Sequence, residues 1–137
     1  MKEALKEAQQ ALMNDEIPVG AIIVSDQQII ARAHNETQRN HDVTAHAEIL
    51  AITAASKYIG AKYLTDCTMY VTLEPCLMCA GALYWSQIGT IIYGASDTKR
   101  GFQSVRDNVL HPKTQVVSGV LADQCSALIK NFFTSKR

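Results

Sequence analysis

The sequence of 137 residues predicts an α/β fold, with a mixed sheet of about five strands and helices on both faces. Three observations predict it. Short runs rich in β-branched residues alternate with longer stretches of helical periodicity. The first two strand-like runs are separated by a short polar turn, as in an antiparallel hairpin, whereas the later ones are separated by helices, as in β-α-β units. Because no repeat, low-complexity tract or linker interrupts the chain, we expect a single domain over residues 1–137.

The N-terminal half is predicted to contain a helix, a hairpin and a second helix. Alanine and leucine share one face of residues 3–13, and the segment NDEIP ends that helix. Strands at 19–24 and 29–33 flank the polar turn SDQQ. A polar loop then leads to Thr44, a good N-cap residue, and to a helix that ends near residue 60.

The C-terminal half is predicted to contain three strands and two helices. A strand at 68–73 precedes Pro75, which occupies a helix-start position, and CLMCAGALYWS continues as a helix that ends before Gly89. Further strands are predicted at 90–95 and 115–120. The apolar face of the last helix contains Cys125, Leu128, Ile129, Phe132 and Phe133.

Composition predicts a soluble, cytoplasmic protein. No run approaches the ~18 apolar residues of a membrane span, and MKEALKEAQQAL lacks the apolar block of a signal peptide. Four cysteines in such a chain do not indicate disulfides. Cys67 and Cys125 lie among apolar residues and are predicted to be buried core thiols.

Charge is distributed unevenly along the chain. The net charge of zero argues against a large nucleic-acid surface, because phosphate contacts need lysine and arginine. However, residues 1–94 carry six Lys/Arg and ten Asp/Glu, whereas residues 95–137 carry seven and three. The balance therefore moves from −4 to +4, and any polyanion is expected to meet the C-terminal third.

Four residues form a candidate catalytic metal site. Catalytic zinc usually takes three protein ligands and leaves a position to water. Cys76 and Cys79 have ligand spacing at a helix start, where the helix dipole favours thiolates, and His46 in the first turn of another helix completes the set. Glu48, two positions further, is predicted to miss the ion and to move a proton from the ion's water to a leaving group. The implied reaction is hydrolytic attack on an electrophilic carbon.

Other interpretations of the cysteine pair remain open. A thioredoxin-like redox pair would also follow a strand and open a helix, but it has no need of His46 and Glu48. A structural zinc knuckle would require a fourth cysteine or histidine. The remaining histidines, in predicted loops, are interpreted as polar surface or hydrogen-bonding residues: His34, His41 and His111.

His-Ala-Glu followed by Pro-Cys-x-x-Cys is the signature of the cytidine deaminase-like zinc deaminases, which this chain resembles. The segments EIPVGAIIV, HNETQRNHDVTAHAEI, TMYVTLEPCLMCAGAL, IGTIIYGASDTKRG and GVLADQCSALIKNFF are similar to bacterial tRNA adenosine deaminases. The resemblance implies a three-layer α/β/α fold, a homodimer and one Zn²⁺ per chain held by His46, Cys76 and Cys79. It also implies that Glu48 carries the proton from water to the ring nitrogen and then to the departing ammonia.

The same resemblance implies a set of substrate contacts. Asn35 would hydrogen-bond the base, although an Asx-turn is the alternative, and the amide of Ala47 would contact the base edge. Asp97 and Lys99 would lie near the sugar and the backbone of the substrate, although Asp97 could instead cap the segment after it. The pocket walls would come from Ile17, Val19, Leu73 and Glu74.

Aromatic residues enter the expected site in two places. Phe132 and Phe133 repeat at core spacing, so at least one should pack, and the resemblance allows Phe133 to lie beside a flanking nucleotide. Tyr84 and Trp85 occupy positions where the tRNA enzymes usually have smaller or polar residues. In this respect the chain resembles guanine deaminases of the same superfamily. The alternative is that this pair serves packing.

The expected substrate is adenosine at the wobble position of a tRNA anticodon loop, with phosphates held by the C-terminal cations. These cations are Lys99, Arg100, Arg106, Lys113, Lys130, Lys136 and Arg137. The alternative is a free base or nucleoside such as guanine or cytosine, favoured by the neutral charge, the short segment RDNVLHPKTQVVSG and the Tyr84-Trp85 pair. A non-catalytic zinc-binding or RNA-binding module is a further alternative, which Glu48 opposes. An open cleft continuous with the basic face would favour RNA, and a cleft closed by the last helix would favour a small base.

Overall fold

The computed structural model describes residues 1–137, with five helices and five strands. The helices are α1 (Lys2–Met13), α2 (Ala47–Ile59), α3 (Leu77–Ser86), α4 (Phe102–Val105) and α5 (Ala122–Ser135). The strands are β1 (Gly20–Ser25), β2 (Gln28–His34), β3 (Thr68–Leu73), β4 (Thr90–Ala95) and β5 (Gln115–Val117). The sequence predicted every element except the single turn of α4.

The strands form one mixed sheet in the order β2-β1-β3-β4-β5. β1 is antiparallel to both β2 and β3, whereas β3, β4 and β5 are parallel. The register pairs Gly20 with His34, Ala21 with Val71 and Leu73 with Ala95. The start of β1 and the ends of β2, β3 and β4 therefore meet at one edge of the sheet.

Helices cover both faces of the sheet, which confirms the predicted three-layer α/β/α arrangement. On one face, alanines of α2 and side chains of α3 pack with Ile23, Met69 and Tyr93 in the main core. On the other face α1 lies directly on the backbone of β1, because a Cβ added at Gly20 would collide with backbone atoms of Ala4 and Ala8. Here α5 also packs against β4.

Local differences from the predicted elements have physical causes. The hairpin turn narrows to Asp26 and Gln27, whose positive φ angles of 50° and 63° suit a two-residue turn between twisted strands. Thr44 does not cap α2, because its hydroxyl donates to Oδ1 of Asp42 at 2.7 Å. The N-cap position of α2 is occupied by His46 instead. β5 is shorter than predicted and pairs only with β4, at the edge of the sheet.

Two further expectations concern burial. Cys67 and Cys125 are both buried free thiols, as predicted. None of the helices combines the length and the apolar composition that crossing a membrane requires.

Candidate active site

A cavity of about 1090 Å³ opens at the sheet edge where four strand termini meet. The start of β1 brings Ile17 and Val19 to its wall, and the end of β2 brings Asn35. β3 and β4 end at the same place, so the residues that follow them, from Leu73 and from Ala95 onward, complete the sheet side of the cavity. The topology alone thus gathers residues that are far apart in sequence.

The N-terminal ends of α2 and α3 bring His46, Cys76 and Cys79 together. His46 and Cys76 are the N-cap residues of these helices. Nδ1 of His46 lies 3.7 Å from Sγ of Cys76 and 3.5 Å from Sγ of Cys79. Their possible ligand atoms all lie within 4.8 Å of one another, so the three side chains could hold one metal ion.

The local electrostatics favour a thiolate in this group. A hydrogen bond from the Cys79 thiol, with a further contribution from His46, lowers the pKa of Cys76 to about 4. The same hydrogen bond and burial raise the pKa of Cys79. The hydrogen bond with Cys76 raises the pKa of His46. One imidazole nitrogen and two sulfurs form a soft donor set that suits zinc and leaves a fourth tetrahedral position without a protein ligand.

Glu48 lies beside this group but is not part of it. Its side chain is only 4% exposed, yet the residue lines the cavity together with His46 and Cys76. Burial raises the pKa of the Glu48 carboxyl to about 7. A carboxyl with a pKa near neutrality is suited to accept and return a proton in water-driven chemistry.

Asn35 and Ala47 offer unused hydrogen-bonding groups to the cavity. Asn35 is buried, and its Oδ1 atom has no hydrogen-bond partner. This disfavours the Asx-turn interpretation, because that turn would use the oxygen. Ala47 is the first residue of α2, where the backbone N–H has no partner within the helix. A buried acceptor without a partner is costly in a native protein, so a ligand group is its natural complement.

Of the residues predicted to contact substrate, Trp85 lies outside the cavity, and Glu74 lines it with both carboxylate oxygens already bonded to the backbone. Trp85 does not line the cavity: it is 76% exposed on α3 and makes an edge-to-face contact with Tyr84. Its position on the helix turns it away from the face that carries Cys79. Glu74 does line the cavity, but both of its carboxylate oxygens accept backbone hydrogen bonds, from Asp97 and Gln103.

The other predicted contacts lie in the cavity wall: Ile17, Val19, Leu73, Asp97, Lys99 and Phe133. Phe132 is buried whereas Phe133 is 45% exposed, so one packs and the other faces the cavity. Oδ1 of Asp97 accepts backbone hydrogen bonds from Lys99 and Arg100, at 3.1 Å and 3.0 Å. Asp97 therefore bonds the backbone of the turn that follows it and also borders the cavity, but it does not cap α4, whose N-cap residue is Gly101.

One face of α5 and the two residues that follow it contribute further residues to the cavity wall. The sequence interpretation had named Lys130, Lys136 and Arg137 among the cations expected to hold phosphates, but it had not assigned Ser126, Ile129 and Thr134 to the site. Most of them repeat with Phe133 at intervals of three and four residues, which places them on one side of a helix. That periodicity in the sequence could have identified the face. It makes one wall of the cavity basic.

Of the remaining histidines, His34 and His111 take hydrogen-bonding roles and His41 is exposed, as predicted. His34, expected in a loop, is the last residue of β2, and its Nδ1 lies 3.2 Å from Oε1 of Glu7. Nδ1 of His111 accepts a backbone hydrogen bond from Lys113 at 3.2 Å. Neither belongs to the metal-type group.

A histidine and two cysteines at two helix starts, with a buried carboxyl beside them on a three-layer α/β/α sheet, define a metal-dependent hydrolase that acts through water. The chain matches the MafB19-like deaminases over residues 1–137, and it belongs to this deaminase family. It is thereby a member of the cytidine deaminase-like group that its motifs resemble.

Characterised relatives agree with this assignment. The tRNA-specific adenosine deaminase of Bacillus subtilis is 43% identical over 142 residues, covering 100% of this chain and 88% of that protein. A solved structure from a study of A-to-I editing by tRNA:A34 deaminases is 39% identical, with a TM-score of 0.87, and the match covers 93% of this chain and 96% of that one. A guanine deaminase from Bacillus subtilis is 42% identical with a TM-score of 0.68, covering 71% of this chain and 62% of that one.

Replacing Cys79 by alanine should abolish stoichiometric zinc binding, because the buried sulfur that completes the three-residue donor set is lost. The matched control is Cys125→Ala, which removes a comparably buried thiol that is not part of the group and should retain the metal. Metal content after dialysis, measured by mass spectrometry, separates the two. A Cys79→Ala protein with one zinc per chain would contradict the assignment of the ligands.

Proposed function

We propose that this deaminase converts adenosine to inosine at the wobble position of a tRNA anticodon loop. The observation that carries the proposal is the shape and charge of the cavity. It runs from His46, Glu48 and Cys76 to a basic wall on α5 and on the turn after β4. Its volume of about 1090 Å³ lies slightly above the range typical of small-molecule pockets, about 300–1,000 Å³.

One Zn²⁺ per chain would be held by His46, Cys76 and Cys79, and when bound it lowers the pKa of a water molecule towards about 7. Glu48 takes a proton from the attacking water and delivers it to the ring nitrogen of adenine. The water oxygen bonds to the ring carbon that carries the amino group. Glu48 then takes the remaining proton of that oxygen and transfers it to the amino group, the C–N bond breaks, and ammonia leaves. The balance is adenosine plus water to inosine plus ammonia.

The residues around Glu48 would select and orient the base. The free Oδ1 of Asn35 is positioned to accept a hydrogen bond from a base N–H, and the amide of Ala47 to donate one to a ring acceptor. Ile17, Val19 and Leu73 provide apolar walls for the ring faces. A flipped-out base would thus exchange its stacking in the loop for this enclosed site.

The nucleotides around the target base would contact the outer cavity. Phe133 presents a partly exposed ring on which an unpaired base could stack. Lys99, Arg100, Lys130 and Arg137 border the cavity and are suited to phosphates. Ile17 and Phe133 remain substantially exposed although they line the cavity, so the cleft is open and α5 forms one of its walls without closing it. An open cleft supports an extended substrate over an enclosed small base.

A second candidate function is the deamination of a free purine base, and guanine is the leading candidate substrate. The similarity to a guanine deaminase, at 42% identity over 71% of this chain, is the observation in its favour. The Tyr84-Trp85 pair gives it no support within this chain, since Trp85 lies outside the cavity. The basic wall has no evident role with an uncharged base.

We further propose that the protein acts in the cytoplasm, where its RNA substrate and a reducing environment for its free cysteines are found. It would act there as a homodimer. An exposed apolar surface on α3 is formed by Leu77, Met78 and Trp85. Contiguous exposed apolar side chains, aromatic residues and methionine above all, are typical of protein interfaces.

The Glu48→Gln protein should keep its zinc and its fold but lose turnover by at least about 10²-fold, because an amide cannot shuttle the proton. Initial rates of ammonia release, with metal content and thermal unfolding as controls, check this. Activity within a few-fold of the unchanged enzyme would refute the proton-transfer role.

The zinc-loaded protein should release ammonia from an anticodon stem-loop with adenosine at the wobble position. It should not do so when guanosine replaces that adenosine, nor from free guanine, cytosine, adenine or their nucleosides. Added salt should weaken the reaction on RNA, because phosphate contacts are screened. Turnover of a free base with none on RNA would exclude the tRNA substrate and favour the second candidate.

Sedimentation velocity should give the mass of two chains, and Trp85→Ser should shift the population towards one chain at low protein concentration, because it removes the most exposed apolar side chain of the α3 surface. Tyr58→Ser, at an exposed aromatic residue of α2 outside that surface, is the control. A single-chain mass for the unchanged protein at all concentrations would contradict the homodimer.

A further inference from the structure

Glu74 is a carboxylate buried at the junction of β3 and α3, two residues before Cys76. Its side chain is 4% exposed. Such a group remains in a protein interior only if hydrogen bonds replace its hydration. Oε1 accepts from the backbone N–H of Asp97 at 3.0 Å, and Oε2 accepts from the backbone N–H of Gln103 at 3.0 Å. Both oxygens are therefore committed to the segment 97–103, which we call the basic turn because it carries Lys99 and Arg100.

Gly101 shows how closely this turn fits onto the carboxylate. A Cβ at Gly101 would collide with Cδ and Oε1 of Glu74 and with the carbonyl oxygen of Asp97. Its φ angle of −64° is available to any residue, so the glycine is required by the close approach and not by the backbone conformation. Any side chain here would displace the Glu74 carboxylate from the two N–H groups.

Further bonds connect the basic turn to the start of α3. The backbone N–H of Phe102 donates to the carbonyl oxygen of Pro75 at 2.9 Å, and Gly101 forms an isolated bridge with Cys76. Within the turn, the N–H of Gly101 donates to the carbonyl oxygen of Asp97 at 2.9 Å. Glu74 thus fixes both ends of the basic turn, and Pro75 and Cys76, which follow Glu74 in the chain, hold its residues Phe102 and Gly101.

We propose that Glu74 is a positioning residue that holds the basic turn at the mouth of the cavity, so that Lys99 and Arg100 bind the phosphates of an RNA substrate. Lys99, Arg100 and Cys76 line the same cavity, so the carboxylate sets the distance between the phosphate-binding cations and the reacting base. This inference rests on the proposed action on RNA. The segment that follows β3 would then have two functions: Cys76 would bind the metal, and Glu74 would position the cations that bind RNA.

Amide hydrogen exchange tests the positioning directly. The Gln side chain in Glu74→Gln has an NH₂ group in place of one carboxylate oxygen, so a donor would face a backbone N–H and one of the two hydrogen bonds would be lost. Amide exchange at Asp97 and Gln103 should therefore accelerate about tenfold or more. Glu16→Gln is the matched control. Glu16 is 1% exposed and accepts backbone hydrogen bonds from Gln38 and Arg39 at 3.1 Å and 2.9 Å, so its loss should accelerate exchange there and leave 97–103 unchanged.

RNA binding and kinetics test the consequence. Glu74→Gln should raise KM for the stem-loop with little change in kcat or zinc content. The slope of log affinity against log salt should fall by up to about 1.4, or about 0.7 for each of two phosphate contacts. The surface variant Lys99→Ala/Arg100→Ala, which carries little risk to folding, should give the same change, and adding Glu74→Gln to it should have no further effect on the slope.

Unchanged exchange at Asp97 and Gln103 in Glu74→Gln would overturn the positioning role, whatever the substrate. Additive losses in the combined variant, or a fall in kcat and zinc content with KM unchanged, would also overturn it, because Glu74 would then support the metal group instead of the turn. Absence of RNA binding by the unchanged protein would instead overturn the proposed function, and the exchange result would still decide whether Glu74 holds the turn.

Discussion

The convergence of two helix starts at one sheet edge is the constraint on which the rest of the site depends. β3 and β4 run parallel, so both end at the edge where β1 begins, and α3 starts there directly after β3. α2 enters the same edge because β2 is antiparallel to β1. His46 and Cys76 can therefore be N-cap residues of adjacent helices, where the helix dipoles stabilise thiolate charge. Glu48 lies in the first turn of α2, two residues after His46, and is buried by the same packing.

Buried carboxylates hold the two irregular segments beside this edge. Glu16 binds backbone N–H groups of the loop after β2, and Glu74 binds those of the turn after β4. Neither segment belongs to the sheet or to a long helix, so without such anchors few interactions would fix their positions. A carboxylate that accepts two N–H bonds is a strong anchor, because bonds to a charged acceptor exceed neutral ones in strength. The turn after β4, which borders the cavity, is thus held by a specific anchor although it is irregular.

Much of this could be predicted from the sequence because its signals are local. Alternating periodicities located β1 to β4 and the long helices, and the spacing of His46, Cys76 and Cys79 identified the metal-type group. Residues whose surroundings depend on long-range register were harder. Glu74 was assigned to a pocket wall, and nothing near it in sequence reveals that its partners are Asp97 and Gln103. Trp85 was assigned to the site because the Tyr84-Trp85 pair resembles a pair in guanine deaminases, but Trp85 lies outside the cavity.

The structure separates the chemistry from the choice of substrate. The donor set and Glu48 lie where sheet and helices are fixed, and the same chemistry applies to any base that presents an amino-bearing ring carbon to them. Selection must come from the outer cavity, which is built from the turn after β4 and one face of α5. These are the parts where the chain gains its excess of basic residues. A base that is presented on a polyanion gains binding energy there that a free base cannot obtain, so the basic wall favours RNA without altering the reacting centre.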